Sequence, residues 1–199
     1  MKKPFLVWTV LVAQSVLLGI EALTSYDAAG RQIALSMTNL VAVVLVLVFN
    51  RWLQRRGQGF STLTILLIFG SVWLDAIGNF QHFYGRFWWW DHLTHGVGGM
   101  AITAGFLDLF LSWRRGRESA VSWRQAVWMG FVWGQFLGAA YEVSEYLGDF
   151  WFHTHRVGLH FDTSRDLTFN LAGGLLVIAL FLLVRLLVRS KEKSVVASG

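Results

Sequence analysis

The sequence predicts an all-α protein, a bundle of six transmembrane helices with its N- and C-termini in the cytoplasm. Hydrophobic residues make up 55% of the 199 positions, only one proline is present, and the mean hydropathy is +0.50. This composition is too apolar for a water-soluble domain. Six apolar segments reach the length of about 20 residues that a helix needs to cross the hydrocarbon core, and none shows the alternation of a strand.

We predict a single domain over residues 1–189. Its six spans lie at about 5–24, 33–53, 61–80, 89–113, 124–147 and 165–188. The first span follows a basic start and resembles a signal peptide, but it is long and lacks a small-residue cleavage site. We therefore interpret it as an uncleaved helix. The polar stretch 190–199, SKEKSVVASG, predicts a disordered cytoplasmic tail.

Residues at the ends and along the faces of the spans support this division. The run Trp88-Trp89-Trp90 precedes the fourth apolar segment and is typical of the aromatic belt at a membrane interface. In the fifth segment, glycine recurs every four residues at Gly130, Gly134 and Gly138. Such a stripe of small residues favours close packing against a neighbouring helix or a second copy of the chain, so the oligomeric state stays open.

The distribution of Lys and Arg predicts the orientation. With a cytoplasmic N-terminus, all of the 17 basic residues lie inside except Arg31, Arg86, Arg156 and Arg165. We therefore expect a multi-pass protein of the cell inner membrane. The net charge of +5 does not indicate nucleic acid, because the basic residues flank apolar runs; the expected partners are membrane lipids.

This topology places the acidic and histidine residues mostly on the outer side. All 6 histidines and all of the 12 acids except Asp108, Glu118 and Glu192 fall there. An ionised carboxylate that faces lipid at mid-span costs about 2.5 to 3.5 kcal/mol, so carboxylates inside the spans should face one another. We predict an interior polar pocket on the periplasmic or extracellular side.

Helical spacing directs the polar residues toward this pocket. Positions i, i+3 and i+7 or i, i+4 and i+8 lie on one face of a helix. The sets that follow this rule are Asp75 with Asn79, Asp91 with His95, Glu142 with Glu145 and Asp149, and Asp162 with Asp166 and Asn170.

The most specific hypothesis is a divalent metal site for zinc, manganese or iron, because histidine with carboxylates is a usual ligand set for these ions. The expected ligands are His95, Glu142, Glu145 and Asp166, and the three carboxylates are also the candidate catalytic residues. Asp91 would orient the His95 ring. Supporting residues are expected at Asp75, Asn79, His92, Asp149, Asp162, Arg165 and Asn170.

Simpler interpretations stay open for the same residues. Asp91, His95 and Asp166 could belong to a hydrogen-bond network that only holds the helices together. The histidines of the following loop, His153, His155 and His160, are interpreted as solvated. Arg165 is interpreted as a counterion for the neighbouring carboxylates rather than as a clamp for a phosphate or carboxylate ligand.

Three motifs together resemble known families. They are D-x-x-x-H at Asp91 and His95, the acid pair Glu142 and Glu145, and D-x-x-x-D-x-x-x-N at Asp162, Asp166 and Asn170. Their order over residues 61–185 is similar to the VanZ-like and YjdF-like families of small multispanning bacterial membrane proteins. The resemblance implies an inner-membrane protein, and VanZ-like proteins are associated with glycopeptide (teicoplanin) tolerance at the cell envelope.

The sequence leaves three functions open, and with them whether the protein is an enzyme. The first is a metal-dependent enzyme that acts on a lipid or lipid-linked substrate at the outer leaflet. The second is a proton- or cation-coupled transporter. The third is a non-catalytic protective module that binds an envelope ligand such as a cell-wall precursor.

Overall fold

All regular structure in the described part of the chain is helical, which confirms the all-α class. The computed structural model describes residues 4–24, 29–115, 121–158 and 161–197. Its helices are α1 Pro4–Leu23, α2 Ala29–Arg55, α3 Thr62–Phe80, α4 Phe83–Arg86, α5 Trp90–Arg115, α6 Trp123–Phe152 and α7 Asp162–Ala197.

Four segments are long and apolar enough to cross a membrane. They are Ile33–Arg55, Thr62–Phe80, Trp90–Arg115 and Asp162–Ser190, and α1 contributes a shorter apolar stretch, Val7–Glu21. Helix α6 falls short on composition, since its second half carries three carboxylates and much of the rest is glycine and aromatic. A membrane protein with several apolar helices is therefore confirmed, while the six spans and the cytoplasmic termini stay predictions.

Helix boundaries differ from the predicted ones at three places. The single turn α4 lies between the predicted third and fourth spans. Helix α6 runs to Phe152, because the stretch before it contains no proline and the left-handed His153, at φ 54°, ends it. Helix α7 continues to Ala197, where we predict a disordered tail; residues 190–197 contain no glycine or proline, and lysine and glutamate are good helix formers.

Helix α5 lies at the centre of the bundle and packs against α3, α6 and α7, whereas α1 packs against α2 and α3. Glycine permits the close approach around α5. A Cβ added to Gly99 would lie 2.7 Å from the Asn170 Cα in α7, and one added to Gly130 would lie 2.9 Å from the Leu107 Cα. The predicted glycine packing is therefore confirmed, and it brings three polar helix faces together at one end.

The opposite end of α5 is joined to α3 by a carboxylate. Asp108 Oδ2 accepts hydrogen bonds from the Ser61 backbone N–H and the Thr64 hydroxyl, both at 2.7 Å. Ser61 is also the N-cap of α3 and accepts from the Thr64 N–H at 3.1 Å. Because Asp108 satisfies donors at a helix N-terminus, it fixes how α3 meets α5.

Candidate functional site

A polar cavity of about 240 Å³ lies where α3 and α6 end and α5 and α7 begin. Five helices, α3 to α7, and the loop after α6 contribute to its walls. The lining residues are Asp75, Asn79, Tyr84, Asp91, His95, Glu145, His155, Arg156, Val157, Gly158, Asp162 and Asp166. The polar faces predicted from helical spacing therefore meet in one place.

His95 stands among carboxylates from three helices. Its Nε2 lies 3.5 Å from Asp91 Oδ1, one turn earlier in α5, and 3.6 Å from Asp166 Oδ1 of α7. Its Nδ1 lies 3.3 Å from Glu142 Oε1 of α6. Both ring nitrogens thus have a carboxylate oxygen nearby, and the imidazole connects α5 to α6 and α7.

Two carboxylate oxygens in this group are buried without a hydrogen-bond donor among the described residues. They are Glu142 Oε1 and Asp166 Oδ1. His95 lies within ion-pair distance of both oxygens, at 3.3 and 3.6 Å, but makes a hydrogen bond to neither. Their residues are almost fully buried, at 4% and 2% exposed. Because burying an unpaired carboxylate oxygen is costly, these atoms call for a proton or a cation.

Asp91, His95 and Asp166 have the geometry of a metal-ligand set. One ligand atom from each lies within 4.8 Å of the other two. The predicted ligands His95 and Asp166 are thus brought together. Asp91, expected only to orient the histidine ring, lies beside them as a third candidate ligand. Glu142 faces the other ring nitrogen, away from Asp91 and Asp166, and does not line the cavity. It therefore has the position of a carboxylate that orients the imidazole rather than that of a ligand in the same group.

Glu145, predicted as a metal ligand, forms an ion pair with Arg156. Its Oε1 lies 2.6 Å from Nη2 of Arg156, and the same nitrogen donates to the Tyr141 hydroxyl. Burial alone would lower the pKa of the Arg156 guanidinium, but the neighbouring Tyr141 and Glu145 raise it above its usual value. Arg156 is therefore permanently charged. Sequence reasoning did not select Arg156, although it is one of only four basic residues predicted on the outer side.

The loop that carries Arg156 is held by two acids predicted to support the site. Asp149 accepts hydrogen bonds from the Thr154 hydroxyl and from the backbone N–H groups of Arg156 and Val157, the last at 2.8 Å. Asp162 Oδ2 accepts from the Gly158 N–H at 2.6 Å. The two carboxylates shape the loop, and of the two only Asp162 also lines the cavity.

Asp75 and Asn79 form a separate hydrogen-bonded group in the cavity wall. Asp75 Oδ1 accepts from the Asn79 side-chain amide at 3.0 Å and from the Tyr84 hydroxyl at 2.7 Å. Tyr84 belongs to the unpredicted turn α4, and its hydroxyl reaches Thr94 of α5 at 3.5 Å. Asp75 Oδ1 thus has two hydrogen-bond donors, whereas Asp166 Oδ1 has none among the described residues. This indicates that Asp75 helps to join α3 and α4 to α5.

Residues 4–186 match the model of a family described as "Predicted membrane protein (DUF2238)". The chain belongs to this family. It is also 32% identical over 113 residues to an uncharacterized protein of Thermotoga maritima, an alignment covering 55% of this chain and 57% of that protein. The chain thus spans little more than half the length of the curated relative that it matches. No solved structure matches. A membrane-protein family is confirmed, whereas the VanZ-like and YjdF-like resemblance stays an expectation.

In this DUF2238 protein, some predicted site residues lie apart from the cavity. The His92 ring packs on Phe169, with centroids 4.5 Å apart. Arg165 is exposed, and Asn170 is buried one turn below Asp166 between α5 and α6. None of these three lines the cavity.

The loop histidines that the structure describes are exposed, as predicted. His153 is exposed at the end of α6. His155 is also exposed, and it contributes to the lining of the cavity. Its backbone is left-handed, at φ 53°. His160 lies outside the described residues.

Proposed function

We propose that this membrane protein is a metal-dependent enzyme that acts on a lipid or lipid-linked substrate of the cell envelope. The observation that carries the proposal is the convergence of Asp91, His95 and Asp166 beside buried carboxylate oxygens that have no hydrogen-bond donor among the described residues. A network that only joins helices would satisfy these oxygens. A bound divalent cation would satisfy them and neutralise the carboxylates.

The residues around this group suit hydrolysis or group transfer. Asp91, His95 and Asp166 would hold the ion, and a bound divalent metal supplies Lewis-acid activation of water or of a phosphoryl oxygen. Glu142 would act through His95: its Oε1 lies 3.3 Å from Nδ1, so the carboxylate would orient the imidazole whose Nε2 faces Asp91 and Asp166. The distribution of Lys and Arg supports an outer-side location for the cavity, where it would meet envelope substrates.

A transporter is less well supported. A path from the cavity across the bundle would continue past Asn170 to Thr103 and Gln135, where Thr103 Oγ1 and Gln135 Nε2 are buried without partners among the described residues. Further along α5, the core closes with an apolar cluster. Its buried members are Ala104, Leu107, Val127 and Val177. A transporter would need this cluster to open, whereas an enzyme at the cavity would not.

The metal content of purified protein tests the proposal. We expect about one zinc, manganese or iron ion per chain in the wild type, and at least tenfold less in Asp166→Asn and His95→Ala, because a ligand is removed in each. Asp108→Asn is the matched control: it makes the same change at the other end of α5, where Ser61 and Thr64 hold the carboxylate. Equal metal content in wild type and Asp166→Asn would refute the site.

Turnover separates the enzyme from a binding module. Glu142→Gln should lower hydrolysis of a polyprenyl-linked phosphate in vesicles by about 10- to 100-fold, because loss of a carboxylate that orients a metal-bound histidine typically costs that much. Loss of metal together with activity would assign Glu142 to coordination. Absence of turnover by metal-loaded wild type would favour the protective module.

A further inference from the structure

We propose that Arg156 is the anion-binding residue of the cavity and that it holds a phosphoryl group of the substrate opposite Asp91, His95 and Asp166. The inference rests on the proposed function, since it assigns a substrate class to the same cavity. The acidic side of the cavity would bind a cation, and Arg156 stands on the wall formed by the loop after α6.

The guanidinium is held in place but keeps donors for a ligand. Its Nη2 makes both the 2.6 Å contact with Glu145 and the hydrogen bond to the Tyr141 hydroxyl. Its Nε and Nη1 make no hydrogen bond to any described residue, and the side chain is 13% exposed while it lines the cavity. An arginine has five N–H donors in a rigid fork, so donors remain for phosphate oxygens.

The loop backbone cannot take the anion instead. The N–H groups of Arg156, Val157 and Gly158 all point to carboxylates of the protein itself, Asp149 and Asp162. Three successive amides can otherwise form an anion-binding nest. Because these are occupied, the Arg156 side chain is the donor that the loop presents to the cavity, and the two carboxylates make its position rigid.

The charge balance of the cavity points to the same residue. Among the described lining residues, Arg156 is the sole side chain with a permanent positive charge, whereas five of the others are acidic. Carboxylates would repel a phosphoryl group unless a divalent cation neutralised them. With the cation bound, a phosphate could place one oxygen toward it and two toward the guanidinium.

Tyr141 lies near both His95, on the acidic side of the cavity, and Arg156, on the loop side. Its ring lies 6.5 Å from the His95 ring and 5.1 Å from the Arg156 guanidinium carbon, measured between centres. One aromatic side chain thus contacts both the proposed metal ligand and the anion-binding residue. This arrangement favours a tetrahedral group with several oxygens over a carboxylate, because a carboxylate has only two oxygens to share between the walls.

Binding of inorganic phosphate tests the inference. Full-length protein in detergent, loaded with manganese, is titrated with phosphate by calorimetry. We expect Arg156→Gln to weaken binding at least tenfold and Arg156→Lys to weaken it less, because lysine keeps the charge but not the fork. The matched control is Arg165→Gln, which changes an exposed arginine at the start of α7. This variant should bind phosphate as tightly as the wild type does.

Two measurements keep the result interpretable. The double variant Glu145→Gln with Arg156→Gln removes both members of the buried pair, so it avoids an uncompensated charge if the single variant misfolds. Metal content, measured in parallel, should be unchanged in all arginine variants. Metal content therefore reports on the proposed function, while phosphate affinity reports on Arg156.

The source of the phosphoryl group is decided with nanodiscs. Stronger manganese-dependent quenching of the protein's tryptophan fluorescence in discs of phosphatidylcholine with phosphatidate than in discs of phosphatidylcholine alone supports a lipid phosphate. Equal response in both discs, with phosphate binding retained, supports a water-soluble phosphate compound. The inference is overturned if the wild type binds no phosphate, or if both Arg156→Gln and the double variant bind it as tightly as the wild type.

Discussion

The two ends of α5 carry carboxylates in opposite surroundings. At one end, Asp108 accepts two hydrogen bonds of 2.7 Å from the start of α3. At the other, Asp166 of α7 stands beside His95 with a buried oxygen that no described residue donates to. The difference separates a carboxylate that joins helices from one that we propose binds a ligand, because a carboxylate that joins helices has hydrogen-bond donors around it and a binding site leaves oxygens for the ligand.

Disrupting the glycine contacts between these two ends should have the largest effect on the free energy of unfolding. Gly99→Ala would place a Cβ 2.7 Å from the Asn170 Cα, where only backbone could move. We expect a loss of about 3 kcal/mol in the free energy of unfolding, at the upper end for overpacking, with loss of metal binding because α7 is displaced. Thermal unfolding in detergent measures it.

Gly105→Ala is the control on the same helix, since nothing lies within 4 Å of its Cβ position. It should be neutral or stabilise by about 0.5 to 1 kcal/mol, because alanine is the better helix former. If the two variants unfold alike, close glycine packing does not hold α5 against α7.

The same substitution at the two carboxylates should act in opposite directions. Asp108→Asn weakens charged hydrogen bonds to Ser61 and Thr64 and should cost about 1 to 2 kcal/mol. In metal-free protein Asp166→Asn should cost nothing or stabilise by up to about 1 kcal/mol, because it removes a buried charge. Unfolding with a chelator present measures both, and a similar loss at both sites would show that Asp166 is also a structural joint.

The loop after α6 gives a smaller, pH-dependent effect. Burial opposes the charged form of Asp149, but hydrogen bonds from Thr154 and from the Arg156 and Val157 N–H groups outweigh it and hold its pKa below the usual value. Its contribution to loop stability is therefore complete above the pKa of about 4 in the unfolded chain and disappears as pH falls through the lower folded pKa.

Hydrogen exchange of the 154–158 segment measures this contribution. At pH 7, Asp149→Asn should exchange about tenfold faster than the wild type, since a charged hydrogen bond is lost. The two proteins should become equal once acid protonates Asp149. A difference that persists at that pH would assign the loop to other contacts.

Much of the framework was predictable from the sequence because it depends on local pattern. Hydropathy located the apolar helices, and a spacing of three or four residues placed Glu142 with Glu145 and Asp166 with Asn170 on common faces. The stripe of Gly130 and Gly134 correctly predicted a close helix contact.

The errors concern partners that are distant in the chain. Glu145 forms an ion pair with Arg156 of the loop, and Asp91 lies beside both His95 and Asp166. Arg156, which the sequence did not single out, lines the cavity, whereas Arg165 is exposed. His153 and His155 are left-handed, a conformation that remains uncommon even for histidine, so the sequence did not predict the path of this loop.

The sequence by itself determined a membrane protein of apolar helices, with its carboxylates and histidines gathered toward one end. Burial of apolar surface and the period of the helix depend on neighbours along the chain, so they can be recognised there. Only the tertiary structure decided which carboxylate is paired, which joins helices and which has no donor in the part of the chain that the structure describes. The partner of each carboxylate depends on how its helix is rotated and where the loop crosses the cavity. These features change distances between residues that are remote in the sequence by a few ångströms, which is enough to make or remove an ion pair.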